Sequence, residues 1–319
     1  MQDVLIQPPM FRSHTHASTS EVFIVHSLTF LAGLVILFRF TESRTAGLRK
    51  IFFFSRMIVA KKSLGQNFLR DENVARNIVA SLGVRADDAI VEIGPGAGAL
   101  TKHLIATGAP VIGIEVDVRA AQLLRETFGD ALTLVRADVL DVNLAELAGA
   151  KRQQVRIIGN IPYYITSEIL FWLFDHRSVV RDATLMMQRE VAQRLVARPK
   201  TKAYGILAVA TQFHTEPELL FKVSRNSFYP TPNVDSAVVR LNFKQTLPAC
   251  NIQLFTGVVR STFGKRRKTL RNGLRYMGFS DEQLDGIDFD FQQRPEELTV
   301  NDFLQLTRFL EPYEKYIRT

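Results

Sequence analysis

AIVEIGPGAGALTKHLIATG, residues 89–108, is the stretch that decides the fold. AIVEIG (89–94) is a short apolar run closed by a glycine, which in length and content reads as a buried strand. ALTKHLIATG (99–108) has helical spacing and ends at Gly108. Between them stand Gly94, Gly96 and Gly98. Glycines at a strand-to-helix turn allow positive φ and let a ligand approach the backbone.

The same alternation continues outward from this unit. VIGIEVD (111–117) predicts a second strand and RAAQLLRETFG (119–129) a helix. LTLVRAD (132–138) predicts a third strand and VRIIGN (155–160) a fourth, followed by an apolar helix, SEILFWLF (167–174). ATLMMQ (183–188), the helix EVAQRLVA (190–197) and the late strand SAVVRLNF (236–243) complete the pattern. Strands alternating with helices imply an α/β fold, a mostly parallel sheet covered on both faces. After Pro248 the strand signal stops and the rest reads as helices. The expected division is therefore an α/β domain over 57–248 and a small all-helical domain over 249–319, with 1–56 standing apart.

Glu115 lies 21 positions after Gly94, at the end of the second strand, where an acid commonly bonds ribose hydroxyls. Asp138 ends the third strand at the same carboxyl edge, along which open α/β sheets bind their ligands. The loop alone does not separate a dinucleotide from S-adenosylmethionine. Gly94, Gly96 and Ala99 even satisfy a loose dinucleotide pattern. Acidic partners suit a ligand with a ribose, an adenine amine and a sulfonium but no phosphate.

GNIPYY (159–164) ends the fourth strand at that edge. Asn160-Ile161-Pro162-Tyr163 is similar to the Asn/Asp-Pro-Pro-Tyr motif of amino-methyltransferases that act on nucleobases. The residue types suit the chemistry. An exocyclic adenine amine is a poor nucleophile, because its lone pair is delocalised into the ring. The Asn160 side-chain oxygen can accept one amine hydrogen and a backbone carbonyl of the turn around Pro162 the other, favouring the attacking geometry. Tyr163 offers a face on which an extruded base can stack. Alignment with a methyl donor supplies most of the remaining effect, with no metal or covalent intermediate.

With these residues, the chain from Ala60 onward resembles the bacterial small-subunit ribosomal RNA adenine dimethyltransferase family. KKSLGQNFL (61–69), VEIGPGAGALT (91–101), NIPYYIT (160–166), SFYPTPNVDSAVVRL (227–241) and TFGKRRKTLRNGL (262–274) look like that family's signatures, in order. The resemblance implies a Rossmann-like class I S-adenosylmethionine methyltransferase sheet with a small C-terminal helical domain. It implies cofactor contacts at Asn67, Leu69, Gly94, Gly96, Glu115, Asp138 and Asn160, with Asn67 and Leu69 on a segment that closes over the cofactor. Glu115 is expected at the ribose hydroxyls and Asp138 at the adenine amine. Phe228 is expected to cover the base face opposite Tyr163, a core role being the alternative. The motif's proline pair is Ile161-Pro162 here. The implied activity is dimethylation of two adjacent adenines in the 3′-terminal hairpin loop of 16S RNA, within an immature 30S-type particle. The rivals are a large-subunit RNA adenine methyltransferase and a non-catalytic assembly or transcription factor on the same fold.

The chain's 319 residues include 40 Lys+Arg and 32 Asp+Glu, for a net charge of +8. That balance favours a polyanionic partner, RNA before an anionic membrane surface. Lys265, Arg266, Arg267, Lys268, Arg271 and Arg275 form a cluster without an acid in sequence, expected to contact phosphates and to set affinity rather than sequence choice. Cys250 is the sole cysteine, so an internal disulfide is excluded, and no Cys/His cluster has zinc spacing. A reducing, cytoplasmic setting, a monomer and no metal are expected.

Residues 1–56 fall outside the resemblance. Val22–Phe38 is an apolar run of about 17 residues, the lower limit for a bilayer span, and Arg39, Arg44, Arg49, Lys50 and Arg56 follow it. Three readings stand open: a membrane anchor, an organellar targeting segment, or an assigned start that is too early, with translation beginning at Met57.

Overall fold

The computed structural model describes residues 58–61, 64–148, 154–264 and 268–316. The expectations for 1–56 and for Lys265, Arg266 and Arg267 lie outside the described residues. Ser55–Thr319 forms one compact unit.

Seven strands make the main sheet: β2 (Ala89–Ile93), β3 (Val111–Ile114), β4 (Thr133–Val135), β5 (Val155–Asn160), β6 (Val180–Gln188), β7 (Thr215–Val223) and β9 (Ser236–Phe243). Their spatial order is β4-β3-β2-β5-β6-β9-β7. The first five pair in parallel, and β9 runs antiparallel between β6 and β7. Strand order reverses between β2 and β5, and a crevice at such a switch point, outside the carboxyl ends, is where open α/β sheets bind ligands. A separate two-stranded ribbon pairs β1 (Phe68–Leu69) with β8 (Phe228–Tyr229).

The central strands are buried on both faces. Ile157 and Ile158 are consecutive and point to opposite sides, yet both are fully buried. On one face α5 (Thr166–Asp175) packs Ile169, Leu170, Leu173 and Phe174 against the sheet. On the other lie α1 (Glu72–Leu82), α2 (Thr101–Ile105) and α3 (Val118–Phe128). A short helix, α4 (Leu144–Ala148), leads toward β5, and α6 (Arg189–Leu195) follows β6 directly. The sheet's amino edge is closed by a buried ion cluster. The Arg156 guanidinium holds Asp182 at 2.7 Å and Asp88 at 3.0 Å, and Arg181 reaches Asp88 at 2.9 Å.

The predicted elements differ from the structure at their ends. The helix expected over 99–108 shrinks to α2, because the Gly98 N–H bonds Pro95 O and extends the turn. Strands β3 and β4 stop short of Glu115 and Asp138, leaving both acids on loops at the carboxyl edge. Strand β7, with Pro217 inside it, is an edge strand, the position a sheet tolerates for proline.

The C-terminal part is helical: α8 (Ile252–Phe263), α9 (Leu270–Met277), α10 (Asp281–Asp285) and α11 (Val300–Leu310). Its apolar cluster includes Ala208, Val209 and Phe213 of α7 (Ile206–His214), so these helices share one core with an element that precedes Pro248. Among the described residues no helix is long and apolar enough to cross a membrane.

A candidate nucleoside and adenine cleft at the carboxyl edge

The cleft is built where β2 ends. Gly94, at φ 62°, turns the chain, and nothing lies within 4 Å of where its Cβ would project. A side chain there would be strained. The Gly96 N–H donates to Glu115 Oε2 at 2.9 Å, and Asp117 N–H donates to Glu115 Oε1 at 2.9 Å. Two backbone donors thus fix a carboxylate that is 5% exposed, while burial pushes its pKa up. Asp138 lies on the same wall and caps the following turn by accepting from Leu140 N–H at 3.0 Å.

Across the cleft runs a strap, residues 64–69. Gln66 Nε2 donates to Asp117 Oδ2 at 3.0 Å, and the Asn67 carbonyl accepts from Asn160 Nδ2 at 3.0 Å. Leu69 pairs with Phe228 in the ribbon. Asp117 is held firmly ionised by its hydrogen bonds to the Arg119 guanidinium, well below the usual carboxylate range.

Asn160, Ile161, Pro162, Tyr163 and Tyr164 form the facing wall. Because the Asn160 nitrogen is committed to the strap, its oxygen is the group left for a target. The Pro162 carbonyl accepts from Thr166 Oγ1 and Ile165 N–H. The Tyr163 hydroxyl bonds Ser236 Oγ at 2.6 Å, fixing the ring, and burial raises its pKa.

The structure brings Asn67, Leu69, Gly94, Gly96, Glu115, Asp138, Asn160, Pro162 and Tyr163 around a single cleft of ≈ 1060 Å³, its open mouth included. Phe228 is placed otherwise. It is 3% exposed, sits in the core beneath the ribbon and does not line the cleft, which accords with the core alternative. The cluster at 265–275 is free of acids in sequence but not in space. Arg271 bonds Asp285 at 2.6 Å and Asp281 at 3.0 Å, and Arg275 reaches Asp281 at 3.5 Å. Helix α10 folds back to supply those carboxylates, which tie down Arg271 and stand beside the exposed Arg275. Lys268 is exposed.

Three site residues escaped the sequence reading. Glu92 lines the cleft floor, fully buried, with its carboxyl pushed up to about 8 by burial; Thr101 Oγ1 donates to it at 2.7 Å. Its place two residues before Gly94 was the one signal that could have found it. Asp117 and Ser236 act through long-range bonds that carry none.

The cleft is lined by Glu92, Glu115 and Asp138 and, among the described residues, by no Lys, Arg or His. A pyrophosphate has no cation to meet there, whereas a phosphate-free nucleoside carrying an amine and a sulfonium matches the acids. No group of three or more His, Cys, Asp or Glu that could hold a metal occurs among the described residues.

The model of the family "Ribosomal RNA adenine dimethylase" matches residues 57–311. A ribosomal RNA small subunit methyltransferase A of Chlorobium phaeobacteroides is 43% identical over 256 residues, covering 80% of this chain and 93% of that protein. Its counterpart in Geobacillus thermodenitrificans is 39% identical over 267 residues, covering 79% and 91%. A dimethyladenosine transferase from Plasmodium falciparum shares the fold with a TM-score of 0.66 at 24% identity, covering 78% of this chain and 99% of that one. The 23S rRNA methyltransferase ErmE gives 0.58 at 27%, covering 77% and 100%. With the fold, the cleft and these likenesses together, the chain belongs to the ribosomal RNA adenine dimethylase family.

Proposed function

We propose that the protein dimethylates the N6 amines of two adjacent adenines in the 3′-terminal hairpin loop of small-subunit RNA, using S-adenosylmethionine, during assembly of the small subunit. The observation that carries this reading is the pairing, in one cleft, of a cation-free acidic wall with the Asn160 oxygen. The small-subunit target is favoured over the large one by the names of the relatives at 43% and 39% identity.

S-adenosylmethionine, when bound, supplies an electrophilic methyl on a sulfonium. The chain's own residues do the rest. Gly94 leaves room against the backbone, Gly96 lets the Phe68 ring of the strap pack against it, Glu115 is set for the ribose hydroxyls and Asp138 for the adenine amine. Asn67 and Leu69 cover the cofactor from the strap. Asn160 Oδ1 accepts one hydrogen of the target amine. The Ile161 carbonyl, to which no hydrogen bond runs within the described residues, accepts the other, since the Pro162 carbonyl is already engaged. Both acceptors act where positive charge develops on nitrogen. Tyr163, its ring fixed through Ser236, stacks on the extruded base. Residues 57–248 carry this chemistry, and the basic residues of 249–319, Lys265, Arg266, Arg267 and Lys268 among them, hold RNA phosphates.

The test is incubation with labelled cofactor and small subunits lacking these methyls, then nucleoside analysis. Dimethyladenosine in small-subunit RNA, and none in large-subunit RNA, is the expected result. Label in large-subunit RNA alone, or in neither, refutes the reading.

A further inference from the structure

Tyr164 is an exposed aromatic residue of the cleft that the chemistry above does not use. Among the described residues, Tyr164, Tyr229, Tyr276 and Phe309 are the exposed aromatic side chains, and of these only Tyr164, 57% exposed, lines the cleft. Tyr163 beside it in the chain, and the exposed Tyr229 of the ribbon, are already engaged. The Tyr163 hydroxyl is tied to Ser236, and the Arg70 guanidinium covers the Tyr229 ring at 3.9 Å. The Tyr164 ring is also held in place. A Cβ built on Gly65, whose φ is 57°, would lie 2.8 Å from Tyr164 Cδ1, so the strap carries glycine where the ring rests. A large apolar ring that is fixed at its edge and open to water at the mouth of a base-binding cleft is prepared for a flat partner.

We infer that Tyr164 is a second stacking platform, which holds the adenine adjacent to the one within reach of Asn160. This rests on the reading of two adjacent adenines as the target. Tyr163 and Tyr164 are consecutive in the short turn Tyr163–Ile165, so two neighbouring bases meet two neighbouring rings. Holding the second base at the mouth keeps the RNA engaged between the two modifications. Tyr164 is thus a positioning residue that governs passage from one adenine to the next.

The test compares wild type, Tyr164→Ala and Tyr164→Phe on small subunits lacking these methyls. The fragment holding both adenines is released by nuclease and weighed by mass spectrometry at partial conversion, and cofactor affinity is measured by calorimetry. With Tyr164→Ala, the ratio of fragments modified on one adenine to fragments modified on both should rise by roughly tenfold, the order of one missing base stack. Tyr164→Phe, which keeps the ring, should restore the wild-type ratio. An unchanged ratio, with both adenines slowed together and weaker cofactor binding, makes Tyr164 a brace for the strap and overturns the inference. A shifted ratio that phenylalanine fails to rescue overturns it as well. If wild type modifies neither adenine, the substrate reading itself fails and takes this inference with it.

Discussion

The side-chain nitrogen of Asn160 donates to the backbone carbonyl of Asn67, 3.0 Å away and 93 positions earlier in the chain. One amide therefore joins the wall proposed to receive the target to the strap proposed to cover the cofactor. Asn160→Ala should lower kcat by about 10²–10³-fold, the usual effect of removing one group aimed at developing charge. Asn160→Asp keeps an acceptor oxygen but loses the N–H, so it should also weaken cofactor binding by roughly tenfold, about one hydrogen bond. Single-turnover rates and calorimetry separate the two effects. A wild-type rate in Asn160→Ala removes this residue from the mechanism.

Glu92 gives the fold a pH dependence of its own. Its carboxyl sits at about 8 in the folded chain against an ordinary 4.5, because it is buried. The folded state keeps a proton that the unfolded chain releases. The stabilising effect is complete below about 4.5, declines as pH rises and is lost above about 8. Glu92→Gln, neutral at every pH and still able to accept from Thr101, should flatten the fall in Tm between about pH 4.5 and pH 8. Parallel curves for the two proteins would show that Glu92 is ionised in the fold.

At the opposite edge of the sheet, Arg156 neutralises two buried carboxylates, Asp88 and Asp182. Arg156→Met takes the buried guanidinium from both, leaves them only the half-exposed Arg181, and should cost up to about 3–5 kcal/mol in denaturant unfolding. Replacing all three with apolar residues of similar volume should recover most of that loss. A single variant of wild-type stability means that water reaches the cluster.

The basic C-terminal cluster should divide by experiment, Arg271 from Arg266 and Arg267. Neutralising Arg266 and Arg267 should reduce the salt slope of RNA binding by roughly 0.7–0.9 for each phosphate no longer neutralised. Arg271→Ala should leave that slope alone and instead loosen the helical part by up to about 1 kcal/mol, since its partners are Asp281 and Asp285. A flattened slope in Arg271→Ala would place that residue at the RNA after all.

What was legible in the sequence was local. Gly94, Glu115, Asp138 and Asn160 each end or follow a strand whose apolar run announces itself, so their common edge follows from the alternation alone. The partners of those residues were not legible. Asp281 and Asp285 reach Arg271 only because α10 folds back, and no run of residues near Arg271 hints at it. Phe228 belongs to a two-residue strand, too short for any periodicity to show which way its ring faces. Strand β7 was hidden by Pro217 and by a bulge between Leu219 and Phe221, which together break the alternation that marks a strand.

The reversed strand β9 has a consequence for reaction control. Because it runs against its neighbours, its first residue, not its last, arrives at the working rim, and that residue is the serine gripping Tyr163. Were the β6–β9 pairing to slip by a single notch, every side chain of β9 would change sides, and alanine or aspartate would stand where the hydroxyl is needed. The alignment of two strands distant in the chain thus sets the tilt of the aromatic plate proposed to receive a base.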